Sequence, residues 1–255
     1  MEEKEIIAAR VRELSRRAAE NEYLTCTVFY SVSEQDEAAA AARGARYFAY
    51  GGYEDAERKV FFFLPSYLSP EDVTAQEEAE GEHVACVKIT LVGAKFSELP
   101  GHRDYLGAIM SLGIGRERIG DILTEEKAAY VFALRPAAEL IPKELASVRH
   151  TVVKCEMIPP GQCDARPSFH EVQGSVASER VDAVLSMVYH LSRARAQELI
   201  ERELVFADGR TVRSAAHELR EGSRVSVRGF GKFIYDGVLK TTKKDRRMVS
   251  VRVFD

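Results

Sequence analysis

The chain has 255 residues, 45% of them hydrophobic and 30% charged, with a formal net charge of −4. That length admits one large domain or two to three small ones, and the composition is that of a water-soluble globular protein. The longest apolar run, Ala128 to Leu134, is far too short to span a bilayer, and the charged N-terminus lacks a secretory apolar segment; no membrane partner and a cytoplasmic location are expected.

The four cysteines, Cys26, Cys86, Cys155 and Cys163, have no CxxC spacing, and no two histidines stand in an HxxxH pair. Unpaired thiols, no metal and no cofactor are therefore expected. The net charge hides an asymmetry. From Val176 to Asp255 there are 16 Lys and Arg against 11 Asp and Glu, a balance of +5, which leaves −9 for the rest of the chain. A basic C-terminal third on an acidic body suits a polyanionic partner.

In chain order, residues 4–20 read as a helix with Ile6, Ile7, Val11 and Leu14 on one face. Cys26–Tyr30 reads as a strand, and Ser33 as the cap of an Ala-rich helix through Ala42. RYFAY and KVFFFL read as strands flanking GGYEDAER, and the acidic stretch from Glu71 to Glu82 as a boundary. VACVKITL, a helix from His102, the strands IGDILTE and AYVFAL, a helix near Pro136 shortened by Pro142, and TVVKCEMI follow. That β-α-β-β-α-β order is ferredoxin-like. Pro159–Pro167 reads as a turn-rich linker. Beyond it come two helices, one carrying Val181, Val184, Leu185 and Val188 and one beginning after Ser192, then a hairpin through Asp208-Gly209 and the strands GSRVSVRGFGKF, FIYDGVLK and MVSVRVF. The expected fold is α+β: an N-terminal α/β region (1–80), a ferredoxin-like domain (81–160), a linker (161–177) and a domain of two helices plus β-hairpins (178–255), with a fragment from about Val176 able to fold alone.

The helix after Ser192 poses an electrostatic problem. Ser192 is a good N-cap, yet Arg193 and Arg195 occupy the first turn, where the helix dipole disfavours cations. A phosphate at that end resolves the conflict, since free N–H groups and guanidinium forks would frame it together. Helix-dipole logic then predicts that acidic replacements at 193 and 195 weaken binding but leave the fold intact or slightly more stable. Lys243, Lys244, Arg246 and Arg247 cluster at a hairpin tip and extend such a phosphate track. Tyr130 and Phe132 stand two apart on one strand; without the glycine-bearing pattern of RNA-recognition modules, core packing is the expectation. The paired glycines of GGYEDAERK allow close backbone approach, with Arg58 and Lys59 beside them as possible phosphate contacts. GHRD (Gly101–Asp104) is similar to a kinase HRD loop, but the Asn that loop needs is missing, since the chain's sole Asn is Asn21. No catalytic residue is assigned.

Arg180, Val181, Asp182, Leu185, Ser192-Arg193, Ala196, Leu199, Ile200, Val205, Asp208-Gly209 and Gly222 resemble the alpha-L RNA-binding motif, named after ribosomal small-subunit protein four. Arg180, Ser192 and Arg193 match its recurrent positions. Val181 stands for the usual Leu, and Glu203 for the usual Gly, which argues against a left-handed backbone there. FAYGGYEDAERKVFFFLP, GHRDYLGAIMSLGIGRERIGDIL and SVRGFGKF are similar to segments of the bacterial YlmH family, from about Cys26 onward. The resemblance implies a non-catalytic RNA binder, a monomer associated with the large ribosomal subunit in ribosome-associated quality control, with ribosomal RNA and tRNA as partners. It adds Arg228 and Lys232 to the RNA-binding set and His102 and Arg103 to the secondary contacts. The alternatives are an RNA-modifying enzyme or its accessory, because alpha-L modules are often appended to such enzymes, and a protein-interaction factor docking through its acidic body.

Overall fold

The computed structural model describes residues 3–93, 99–242 and 246–254. The chain is α+β and forms two compact units, Met1–Arg166 and Pro167–Asp255.

In the first unit, helix α1 (Glu3–Asn21) buries Ile7, Val11, Leu14 and Ala18 along one stripe. Strand β1 (Thr25–Cys26) is shorter than expected: Thr27 donates its N–H to the Phe61 carbonyl at 3.0 Å, but its hydroxyl rather than a backbone carbonyl accepts the Phe61 N–H, and beyond it Tyr30 meets Lys59 in an isolated bridge. Helix α2 (Val32–Ala41) is capped by Ser31 rather than Ser33. Glu34 decides this: its carboxylate accepts from the Ser31 N–H at 2.6 Å, the return half of a capping box. Strands β2 (Tyr47–Tyr50) and β3 (Val60–Phe63) complete an antiparallel sheet of order β1-β3-β2. Central β3 is buried on both faces. Phe61 and Phe63 pack with α1 and α2, while Val60 and Phe62 face the other way. The acidic stretch expected as a boundary is helix α3 (Pro70–Glu80), opened by Ser69 with Pro70 and Asp72 and closed at Gly81.

Strands β4 (Val84–Leu91), β5 (Ile119–Thr124), β6 (Ala128–Leu134), β7 (Ser147–Val148) and β8 (Thr151–Ile158) form an antiparallel sheet of order β5-β6-β4-β8-β7. Its first four members have the ferredoxin-like order; short β7 is an unforeseen addition. Helices α4 (His102–Met110) and α5 (Arg135–Glu144) lie on one face, where Tyr105, Ile109 and Ile141 cover Val87, Ile89 and Val131. The opposite face carries Cys86, Tyr130 and Phe132, which pack with Phe29, Tyr53 and Phe62 from the N-terminal region. Tyr130 and Phe132 are core residues, and the two halves of this unit share one interior.

In the second unit, strand β9 (Phe169–Val176) occupies eight of the 17 residues expected as linker. Its pattern is hard to read because only Val172 and Val176 reach the core, with Glu171 and Gln173 outward. Helices α6 (Val181–Val188) and α7 (Arg193–Glu201) pack on a six-stranded antiparallel sheet. Its strands are β10 (Val205–Ala207), β11 (Arg210–Thr211), β12 (Arg224–Val227), β13 (Gly231–Thr241) and β14 (Arg247–Phe254), in the order β11-β10-β12-β13-β14-β9. Val181, Leu185, Leu199 and Ile200 meet Val225, Phe233, Tyr235 and Val251. Glu203 is left-handed after all, at φ 54°. Its N–H reaches the Ile200 carbonyl at 2.9 Å and that of Leu204 reaches Leu199 at 3.0 Å, a Schellman closure of α7 that offsets the strain.

Candidate nucleic-acid interface

The second unit holds two of its arginines on one buried carboxylate. Asp182, in the first turn of α6, is fully buried. Arg180 donates to it through Nε at 3.2 Å and Nη2 at 3.0 Å, and Arg193, at the start of α7, donates through Nη2 at 2.6 Å. Burial pushes the Asp182 pKa up, but the hydrogen bonds and charges of Arg180 and Arg193 outweigh it and hold the carboxyl below its ordinary value. The guanidinium side chains stay 37% and 46% exposed. Each guanidinium has five N–H donors, so most remain available outward. Asp182 thus fixes two arginines from different helices in one place, with a net charge of +1 for the three groups.

Ser192 caps α7 as expected, accepting from the Arg195 N–H at 3.1 Å. Arg195 itself does not frame the helix end. It runs along α7 to Glu198 at 2.5 Å, an exposed pair three residues apart. The electrostatic conflict at the start of α7 therefore has two answers: Arg193 is held by Asp182, and Arg195 by Glu198.

An open groove of about 470 Å³ adjoins Arg193. Gln173, Ser175, Ser186, His190 and Arg246 line it with Arg193, beside apolar Met187 and Val172. Arg246 is anchored on Ser175, to its Oγ at 2.8 Å and its carbonyl at 2.6 Å. Arg247 is turned to Glu179 at 2.6 Å, which also accepts from the Tyr235 hydroxyl at 2.9 Å. The structure thus joins Arg180 to Arg193 and places Arg193 and Arg246 on one groove. Ser175, His190 and Asp182 were not singled out as site residues; the spacing of Arg180 and Asp182 two apart was the available signal for the last. Arg228 lies over the Phe206 ring at 5.1 Å and the Lys232 ammonium 6.0 Å from the Phe254 ring centroid, neither of them lining the groove. Lys243 and Lys244 lie outside the described residues.

In the first unit the secondary contacts fare differently. Arg58 is turned inward, donating to the carbonyls of Ile119 at 2.9 Å, Phe29 at 3.1 Å and Arg116 at 3.4 Å. Its Nε and Nη2 donors are taken by backbone carbonyls, which gives this half-buried side chain an internal bracing role. The GGYEDAER loop is pinned by Asp121, which accepts from Tyr53 Oη at 2.9 Å and from the N–H groups of Glu57 at 2.6 Å and Arg58 at 3.2 Å. Gly52 serves packing rather than a ligand: at φ 99° a Cβ there would lie 2.1 Å from the Phe132 ring. Lys59 is half-buried and bonded through its backbone to Tyr30. His102 and Arg103 are exposed in the first turn of α4, whose start is fixed by Asp104 accepting from the Gly101 N–H at 2.9 Å. Among the described residues no cluster of His, Cys, Asp and Glu is arranged for a metal, and no helix is long and apolar enough to cross a membrane.

Comparison with known proteins bears on the same architecture. Residues 82–161 match the family described as "Putative RNA-binding domain in YlmH". The chain is 29% identical over 201 residues to the ribosome-associated protein quality control protein P2 of Bacillus subtilis, covering 78% of this chain and 75% of that protein. It is similar to the structure of cell division protein ylmH from Streptococcus pneumoniae, with 19% identity, a TM-score of 0.49, and coverage of 62% of this chain and 93% of that one. The span matched by the YlmH RNA-binding family coincides with β4 to β8, and the similarity to the Bacillus protein extends well past it.

Proposed function

We propose that this protein is a non-catalytic, ribosome-associated RNA-binding factor that grips ribosomal RNA or tRNA on the large subunit through the basic face of its second unit, as a monomer. The observation that carries the reading is the Arg180–Asp182–Arg193 cluster. Two guanidinium groups locked by a buried anion present a rigid, bidentate surface suited to adjacent phosphates, and rigidity lowers the entropy lost on binding. Arg246, across the adjoining groove, extends the surface. The match of residues 82–161 to an RNA-binding family and the ribosome-associated name of the Bacillus relative support the same assignment.

Co-sedimentation with separated ribosomal subunits tests it. The chain should pellet with large subunits at low salt and be released as salt rises. On duplex-like RNA, log K should fall against log salt with a slope of roughly 0.7 to 0.9 per phosphate neutralised. Retention by neither subunit, or a flat salt response, would overturn the reading. Unchanged base modifications in RNA from a deletion strain are the expected counterpart of the non-catalytic assignment.

A further inference from the structure

The turn joining β12 to β13 reads Arg228-Gly229-Phe230-Gly231-Lys232, and all five residues are exposed. Phe230 is 39% exposed, although it is a large apolar ring in a unit with a complete core. Both glycines are left-handed, at φ 86° and 118°. A Cβ at Gly229 would meet nothing within 4 Å, so backbone conformation and not crowding demands glycine there. Two residues with high conformational entropy are thus used to project one aromatic ring from a turn. One side of the ring leans on Tyr189, with centroids 5.4 Å apart at 52°. The Tyr189 hydroxyl is buried and has no hydrogen-bond partner among the described residues. The platform is rigid on one side and open on the other.

A single exposed aromatic is ordinary in itself. The charges around this one decide what it would meet. From Gly222 to Tyr235 the sequence holds Arg224, Arg228 and Lys232 and no acidic residue. Arg228 is steadied over Phe206 and Lys232 near Phe254. An aromatic ring between two cations matches the alternation of bases and phosphates along an RNA strand.

We propose that Phe230 is a base-stacking platform that takes one unpaired nucleobase of bound RNA, with Arg228 and Lys232 against the flanking phosphates. The proposal rests on the RNA-binding reading above and adds to it a preference for an unpaired nucleotide, which neither the helical arginines nor their groove supplies.

The test uses the full chain and two RNA hairpins that differ by one unpaired 2-aminopurine nucleotide in the stem. The wild type should bind the bulged hairpin about tenfold more tightly and quench its fluorescence on stacking. Phe230→Leu should bring the two affinities together and abolish the quench, while Phe230→Trp should keep both. If Phe230→Leu melts earlier than the wild type, the retained preference of Phe230→Trp against its loss in Arg228→Ala/Lys232→Ala carries the same test. Equal wild-type affinity for the two hairpins, or a preference that survives Phe230→Leu, overturns the platform while RNA binding stands. Binding of neither hairpin overturns both. Phe230→Leu that keeps its preference but no longer pellets with ribosomes marks a protein contact and overturns the platform.

Discussion

Arg193 Nη2 lies 2.6 Å from Asp182 Oδ2, joining the first turn of α7 to the first turn of α6 across eleven positions of sequence. The contact changes the sign of an expectation drawn from the helix dipole alone. A glutamate at 193 suits a helix N-terminus, but here it would set one carboxylate against another that is fully buried.

Arg193→Ala should cost about 1–3 kcal/mol of stability, the value of a hydrogen bond to a charged group, and Arg193→Glu more. Arg195→Glu should be close to neutral, because a capping box gained with Ser192 offsets the exposed Glu198 pair lost. Thermal unfolding of the three variants measures this, with RNA affinity in parallel. Arg193→Glu melting as late as the wild type would contradict the role given to Asp182.

The second unit should lose stability in acid through Asp182. Its folded pKa lies below the unfolded value, so the contribution is present above about pH 4 and disappears as pH falls through the folded pKa. Asp182→Asn should flatten that part of the profile of melting temperature against pH. A profile between pH 6 and 3 identical to that of the wild type would count against it.

His83 gives the first unit the opposite dependence. The Glu77 carboxylate accepts from its ring Nδ1 at 2.7 Å and from the Val84 N–H at 2.8 Å. The hydrogen bond to Glu77 raises the His83 pKa, opposed by burial. Its stabilisation is full below about pH 6.5 and is lost as pH rises through the folded pKa. An imidazole titration followed by NMR should therefore run above the free value, and in His83→Gln the fall in melting temperature at mildly alkaline pH should shrink.

Fragment boundaries follow from β9. A fragment of residues 167–255 should fold alone, because it holds the whole core of the second unit. A fragment beginning at Val176 loses β9, whose eight residues pair with β14 from Arg247↔Val176 to Phe254↔Phe169. It should melt lower or aggregate through the freed edge of β14. Circular dichroism and gel filtration of the two fragments decide the point.

The elements with strong periodicity were legible from sequence: α1, α6, α7 and the five longer elements around β4. β9 was not, because two inward valines among polar neighbours read as linker. α3 was hidden by its acidic composition, although Ser69, Pro70 and Asp72 form a start signal. In the candidate site, residue types were readable and pairings were not. Arg58 has the composition of a phosphate contact, and only its tertiary surroundings show three carbonyls waiting for it. Arg193 and Arg195 look alike in sequence, and a carboxylate on another helix separates their roles.

The aromatic side of the five-stranded sheet carries a further consequence. RNA-recognition modules lay bases on such a sheet. Here the chain's own Phe29, Tyr53 and Phe62 already occupy that place against Tyr130 and Phe132. The N-terminal region acts as a tethered occupant at very high effective concentration. Any RNA met by residues 82–161 must use helices, loops or edges. Loss of RNA binding in Phe132→Ala would then report a collapsed interior, since the substitution empties space next to Gly52 and leaves no vacated base site behind it.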